Sequence, residues 1–176
     1  MAMEATERVG GAGGPVNRLP ALSLPSAPGG EPVAWRAPAA GSPVVVFLRS
    51  PDCEDCGSYL RDLAAKLPDL RAWDGRPLVV VPGGVEEAAR VMREAELPFP
   101  VLADPDGRAR SGCGVAEGMS ALFIADRWGV VYHAAQARAE RDLPPPDEIE
   151  DWLRFIATQC PECGVPDEPG PATWAS

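Results

Sequence analysis

The sequence predicts an α/β domain built on a mixed sheet with helices on both faces. Three observations carry that prediction. Short apolar runs rich in β-branched residues alternate with amphipathic helical stretches, the pattern of parallel strands joined by crossover helices. Two late apolar runs, 121–125 and 130–134, bracket Asp126-Arg127-Trp128-Gly129 and read as an antiparallel hairpin with glycine at its turn. Finally, Cys53-Glu54-Asp55-Cys56 falls between the first central apolar run and the first helical pattern.

The elements follow in order. Residues 1–18, with Gly10-Gly11-Ala12-Gly13-Gly14-Pro15, have no apolar period and read as a flexible tail. Leu22-Ser23-Leu24 and Val33-Ala34-Trp35 flank Ala27-Pro28-Gly29-Gly30 and predict a small hairpin. Val44-Val45-Val46-Phe47-Leu48 is a buried strand by its branched content. Tyr59, Leu60, Leu63, Ala64 and Leu67 have helical spacing, and Pro68 is expected to stop that helix. Leu78-Val79-Val80-Val81 is a second buried strand, followed by a helix over 85–97. Prolines restrict 98–102 to a sheet edge or a strand start. Asp104-Pro105-Asp106-Gly107 is a turn leading into a short helix over 108–113. After the late hairpin, Pro144-Pro145-Pro146 opens a last helix with Ile149, Trp152, Leu153 and Ile156 on one face. The organisation is a tail (1–18), one domain (19–159) and a Cys-containing, Pro/Gly-rich C-terminal tail (160–176).

Composition narrows the function classes. A net charge of −10 argues against nucleic acid or an anionic membrane as partner. No run reaches the roughly 18 apolar residues of a membrane span, and the N-terminus lacks the basic start and apolar core of a secretory signal. The expected setting is cytoplasmic and reducing, where five cysteines read as redox or metal groups rather than structural disulfides.

A strand that feeds a Cys-x-x-Cys at a helix N-terminus makes a reactive thiol. The unpaired N–H groups and partial positive charge there favour the thiolate. Cys53 is the candidate nucleophile, and Cys56, one turn on, is placed to close a disulfide with it. Arg49 adds positive charge, while Asp52, Glu54 and Asp55 oppose the thiolate by repulsion. Three carboxylates against one guanidinium point to a reductant rather than an oxidase. Half of a metal site and an inert pair are the competing readings of the same two cysteines.

The element order and three segments resemble the thioredoxin-like fold, and within it the redoxin branch, the alkyl hydroperoxide reductase and thiol-specific antioxidant family that contains the peroxiredoxins. The segments are Val44 to Cys56, Leu97 to Gly107, and Leu122-Phe123-Ile124-Ala125-Asp126-Arg127-Trp128-Gly129. The resemblance spans roughly 19–157 and implies thiol chemistry at Cys53, on protein or small-molecule disulfides or on peroxides, with a separate thiol reductant and no cofactor. Ser50 matches the hydroxyl position that the peroxiredoxins place ahead of their cysteine, but Val46 stands at their proline. Their arginine before the late strand would fall near Ser120, and the thioredoxin cis-proline would fall at Met119 or Ser120. Asp52 replaces the tryptophan that often precedes a thioredoxin Cys-x-x-Cys. The reading is therefore a disulfide oxidoreductase, with peroxide reduction by Cys53 as the near alternative. A non-catalytic thioredoxin-fold binding module is the alternative of another class.

Cys160-Pro161-Glu162-Cys163 has the spacing of a zinc half-site. Zinc would need two more ligands, from a second chain in a homodimer or from Cys53 and Cys56. A dozen helical residues should carry Cys160 about 18 Å from the site, which argues against the second source. A second redox pair and no specific role are the other readings. Cys113 reads as buried filler and His133 as a strand-face residue. Trp174 has little apolar sequence around it and is expected to dock on the domain or on a partner.

Overall fold

The computed structural model describes residues 14–159 and 174–175. Strands β1 (Leu22–Pro25) and β2 (Pro32–Trp35) form the small antiparallel hairpin. The main sheet contains β3 (Ser42–Phe47), β4 (Gly75–Pro82), β5 (Val101–Asp104), β6 (Ser120–Ala125) and β7 (Val131–Ala137) in the order β5-β4-β3-β6-β7. The β3–β4 and β4–β5 pairs are parallel, and β6 is antiparallel to both β3 and β7. The sequence anticipated this mixed sheet, and the proline-flanked β5, expected at an edge or a strand start, lies at its edge.

Helices α1 (Glu54–Ala65), α2 (Leu67–Ala72), α3 (Val85–Glu94), α4 (Arg108–Gly112) and α5 (Pro146–Ala157) cover the sheet. Strand alternation divides the core in two. Val44, Val46, Val79, Val81, Leu122 and Ile124 face α1, α2, α3 and α5. Val45, Phe47, Leu78, Val80, Ala121 and Phe123 face α4, Leu22 and Trp35. Each of these Val, Leu, Ile and Phe side chains, fully withdrawn from water, contributes about 1.5–3 kcal/mol.

Two expectations change, and the docking expected of Trp174 is found on the domain itself. Pro68 does not stop a long helix: α1 already ends at Ala65, and Pro68 sits in the first turn of α2, where its missing N–H costs nothing. Residues 15–18 belong to the folded unit rather than to a tail. Pro15 is buried, Arg18 bridges Val130, and the Asn17 carbonyl accepts the Val131 N–H at 3.0 Å. Trp174 packs edge-on against Phe123 at 5.3 Å, while the Ala175 N–H donates to the Ala134 carbonyl at 2.7 Å. That contact covers part of the β7 edge with the chain's own C-terminal segment. Among the described residues, no helix is long and apolar enough to cross a membrane.

Candidate active site

The carboxyl end of β3, the start of β6 and the end of β7 lie at one edge of the sheet. Phe47 pairs with Ala121, and Ser120 pairs with Ala137. The chain leaves β3 through Arg49-Ser50-Pro51-Asp52 and reaches Cys53, the N-cap of α1. Cys56 lies in the helix's first turn and is buried, whereas Cys53 is partly exposed. Both are free thiols. This division suits an attacking sulfur open to solvent and a resolving sulfur held behind it.

The third member of the cluster is Glu140, which sequence reasoning missed. It opens a 3-10 turn (Glu140–Asp142) three residues beyond β7, and its side chain is fully buried. The Cys53 thiol donates to Glu140 Oε2 at 3.0 Å. The Ser120 hydroxyl donates to Oε1 of the same carboxylate and accepts the Arg49 N–H at 3.0 Å. Arg49 Nη2 donates to Cys53 Sγ at 3.4 Å, and its Nε lies 3.6 Å from Glu140 Oε2. The two sulfurs and a carboxylate oxygen all lie within 4.8 Å of one another.

The electrostatics follow from these contacts. Burial pushes the Cys56 thiol well up, and the neighbouring Cys53 and Glu140 push it further. Burial also pushes the Glu140 carboxyl upward. The hydrogen bonds from Ser120, Cys53 and Cys56 outweigh that and hold it below its ordinary range. An ionised carboxylate thus sits against a partly exposed thiol and a buried one. Cys56 Sγ also points at the Ser50 carbonyl, 3.9 Å away.

The charge argument made from sequence changes. Asp52 is paired with Arg90 at 2.7 Å and Asp55 with Arg141, so two of the three flanking carboxylates have cationic partners of their own. The negative charge that touches Cys53 comes from Glu140, 87 residues away. Ser50 stands at the peroxiredoxin hydroxyl position, but its Oγ accepts the Asp52 N–H at 3.1 Å in a local turn. Ser120 was singled out from sequence, and here it links the Arg49 backbone to Glu140.

A second residue was missed. Arg110 of α4 extends a guanidinium under the site, where its Nη1 donates to the Met119 carbonyl at 2.6 Å and to the Ala116 carbonyl at 3.3 Å. Its Nη2 donates to the Leu48 carbonyl. It therefore ties the residues that immediately precede Arg49 and Ser120. Cys113, at the end of α4, is fully buried, and burial followed by the charge of Asp104 pushes its thiol up to about 12. That fits inert filler. His133 stacks on Trp152 at 4.9 Å. Cys160 and Cys163 lie outside the described residues.

Comparison with known proteins supplies the context. The profile of the AhpC/TSA family matches residues 15–134. No curated protein sequence is significantly similar to the chain. Among solved structures, peroxiredoxin Q of Xanthomonas campestris superposes with a TM-score of 0.69 at 19% identity, covering 78% of this chain and 92% of that one. AhpC of Mycobacterium tuberculosis gives 0.71 at 16% identity, covering 85% and 97%. A provisionally assigned thiol:disulfide interchange protein DsbE from Chlorobium tepidum gives 0.64 at 20% identity, covering 84% and 99%. These similarities show a thioredoxin-like fold.

Proposed function

From the premise that this chain belongs to the AhpC/TSA family, we propose that it is a thiol–disulfide oxidoreductase in which Cys53 and Cys56 pass two electrons to a substrate disulfide. One observation carries the reading: two free thiols and a buried, ionised carboxylate share a cluster no wider than 4.8 Å, with the more exposed thiol hydrogen-bonded to that carboxylate.

The steps balance as follows. Glu140 takes the Cys53 proton, and Arg49, with the N-terminus of α1, stabilises the thiolate that forms. The Cys53 thiolate attacks one sulfur of the substrate disulfide. A mixed disulfide forms, and the other sulfur leaves as a thiolate that collects a proton. Cys56 then loses its proton and attacks Cys53 Sγ. The Cys53–Cys56 disulfide forms, and the second substrate sulfur leaves as a thiol. The substrate has gained two electrons and two protons, and an external dithiol restores the enzyme. Glu140 also gives the direction. In the resting pair, before that proton transfer, the ionised carboxylate withholds thiolate stabilisation from both sulfurs, so the reduced form lacks the stabilisation that makes a dithiol a strong oxidant.

Peroxide reduction starts from the same sulfur and is supported by Arg49 at 3.4 Å. Against it stand Val46 at the proline position and the use of the Ser50 hydroxyl in its own turn. Insulin reduction by dithiothreitol, run beside hydrogen peroxide consumption, tests the choice. The wild type should accelerate insulin reduction, Cys53→Ser should abolish it, and Cys56→Ser should accumulate a mixed disulfide at Cys53. Rapid peroxide turnover that survives Cys56→Ser, with no insulin reduction, would overturn the proposal in favour of a peroxidase.

A further inference from the structure

We propose that the reduced site is also a binding site for a thiophilic divalent cation of the zinc type, held by Cys53 Sγ, Cys56 Sγ and Glu140 Oε2. Metal and disulfide would then be mutually exclusive occupants. The exclusivity rests on the redox reading above, but the metal site itself does not.

The geometry is that of three ligands and an opening. Zinc–sulfur bonds of about 2.3 Å and zinc–oxygen bonds of about 2.1 Å set tetrahedral ligand atoms roughly 3.5–3.8 Å apart. The two sulfurs and the carboxylate oxygen already lie within 4.8 Å of one another, so small side-chain adjustments suffice. Cys56 and Glu140 are buried and Cys53 is partly exposed, which leaves the fourth position towards solvent for a water. The outer shell is built as well. The Ser120 hydroxyl holds Oε1 and leaves Oε2 as the ligand oxygen beside Cys53.

Charge selects the ion. With both thiols protonated, Glu140 and Arg49 balance each other. When the thiols lose their two protons to solvent, the cluster of three anions and one guanidinium carries two net negative charges. One divalent cation restores neutrality, and a monovalent one does not. Arg49 contacts Cys53 Sγ and Glu140 Oε2 through separate nitrogens, at 3.4 and 3.6 Å, and offsets one of the three negative charges. When the site is oxidised, the two thiolates give two electrons to the substrate disulfide, the sulfur–sulfur bond forms, and the cation is released with its charge unchanged. While bound, it occupies the electron pairs that Cys53 needs for attack.

Cobalt(II) titration of the reduced, metal-free full chain under argon is the direct test, because sulfur-to-cobalt charge transfer counts thiolate ligands. The wild type should take up one equivalent with a tetrahedral spectrum and two-thiolate intensity, and zinc should displace it. Cys53→Ser should halve the charge-transfer intensity. Glu140→Gln should keep both thiolates but weaken binding at least tenfold. The double variant Cys160→Ser, Cys163→Ser should bind as the wild type does, and the oxidised protein should not bind. A spectrum unchanged by Cys53→Ser, or lost in the Cys160/Cys163 double variant, would overturn the site, as would the absence of any tetrahedral spectrum. Folding of each variant is checked by its melting transition. Insulin reduction by metal-free protein is scored separately, so failure of the metal site and failure of the oxidoreductase reading are distinguishable.

Discussion

Glu140 and Asp104 are both buried carboxylates close to the same sheet edge, yet their partners differ in kind. Asp104 accepts two backbone N–H groups, from Ala109 at 3.1 Å and Arg110 at 3.0 Å, and so starts α4. Asp126 behaves like Asp104, accepting the Trp128 and Val130 N–H groups at 2.9 Å and closing the β6–β7 turn. Glu140 is bonded instead to a hydroxyl and a thiol, both of which can exchange protons. A buried carboxylate satisfied by the backbone holds shape, because its donors never titrate. One satisfied by side chains that gain and lose protons can take part in their chemistry.

The largest expected effect would come from breaking the structural side of this comparison. Asp104→Ala strands two N–H groups at the start of a five-residue helix that also positions Arg110. Orphaning them costs about 3 kcal/mol. For a domain of this size that lowers Tm by roughly 6–12 °C. Differential scanning calorimetry should show this loss, while Cys53 in the folded fraction still alkylates at the wild-type rate. Asp104→Asn keeps an acceptor oxygen and should recover part of the stability. If Asp104→Ala instead left Tm unchanged and removed activity, the division drawn between the two carboxylates would fail.

Glu140→Gln should do the reverse. Glutamine keeps the shape and an acceptor for the Cys53 thiol but cannot take its proton. Disulfide reduction should fall roughly a hundredfold, the ordinary contribution of a positioned proton acceptor. Stability near neutral pH should change by only about 1–2 kcal/mol. The acid limb adds a second readout. The carboxyl is held below its ordinary 4.5, so its share of stability is complete above that value. That share is lost as pH falls through the lower folded value. The Tm gap between wild type and Glu140→Gln should therefore close progressively as pH falls below 4.5. A gap independent of pH would mean that Glu140 is not ionised in the folded protein.

The same comparison explains what could be read from the sequence. The sheet was legible because β3, β4 and β6 are runs of branched and apolar residues buried on both faces, a local property. Cys53 and Cys56 were legible because their spacing and the helix that follows are local too. Asp104 and Asp126 act on donors two to six residues away and lie in recognisable turn sequences. Glu140 is joined to Ser120 across 20 residues and to Cys53 across 87. Nothing in Ala139-Glu140-Arg141-Asp142 distinguishes it from the solvated charges beside it. The only available signal was the topology: a hairpin whose second strand returns to the Cys-x-x-Cys edge must deliver the residues after it to the site. Arg110 was hidden for the same reason, since its partners are carbonyls that any sequence supplies.

His133 sharpens the comparison at the opposite extreme. It is half-buried on β7 against Trp152, and its buried Nε2 has no hydrogen-bond partner among the described residues, with Glu148 3.9 Å away. Burial lowers its pKa below 6.5, and Glu148 offsets this only in part. The unfolded chain therefore takes up the proton first as pH falls. The stability associated with neutral His133 is full above about 6.5 and declines as pH drops through the folded value. His133→Phe keeps a ring against Trp152 and has nothing to protonate. At neutral pH it should match the wild type within about 1 kcal/mol. Below about pH 6.5 the wild type should lose stability that the variant keeps, as read from urea midpoints at successively lower pH. Activity per folded molecule should be unchanged in both, because the proton His133 takes up is not delivered to either thiol. A fall in disulfide reduction that follows the same pH curve would connect β7 to the site and extend the class of chemical groups beyond Glu140.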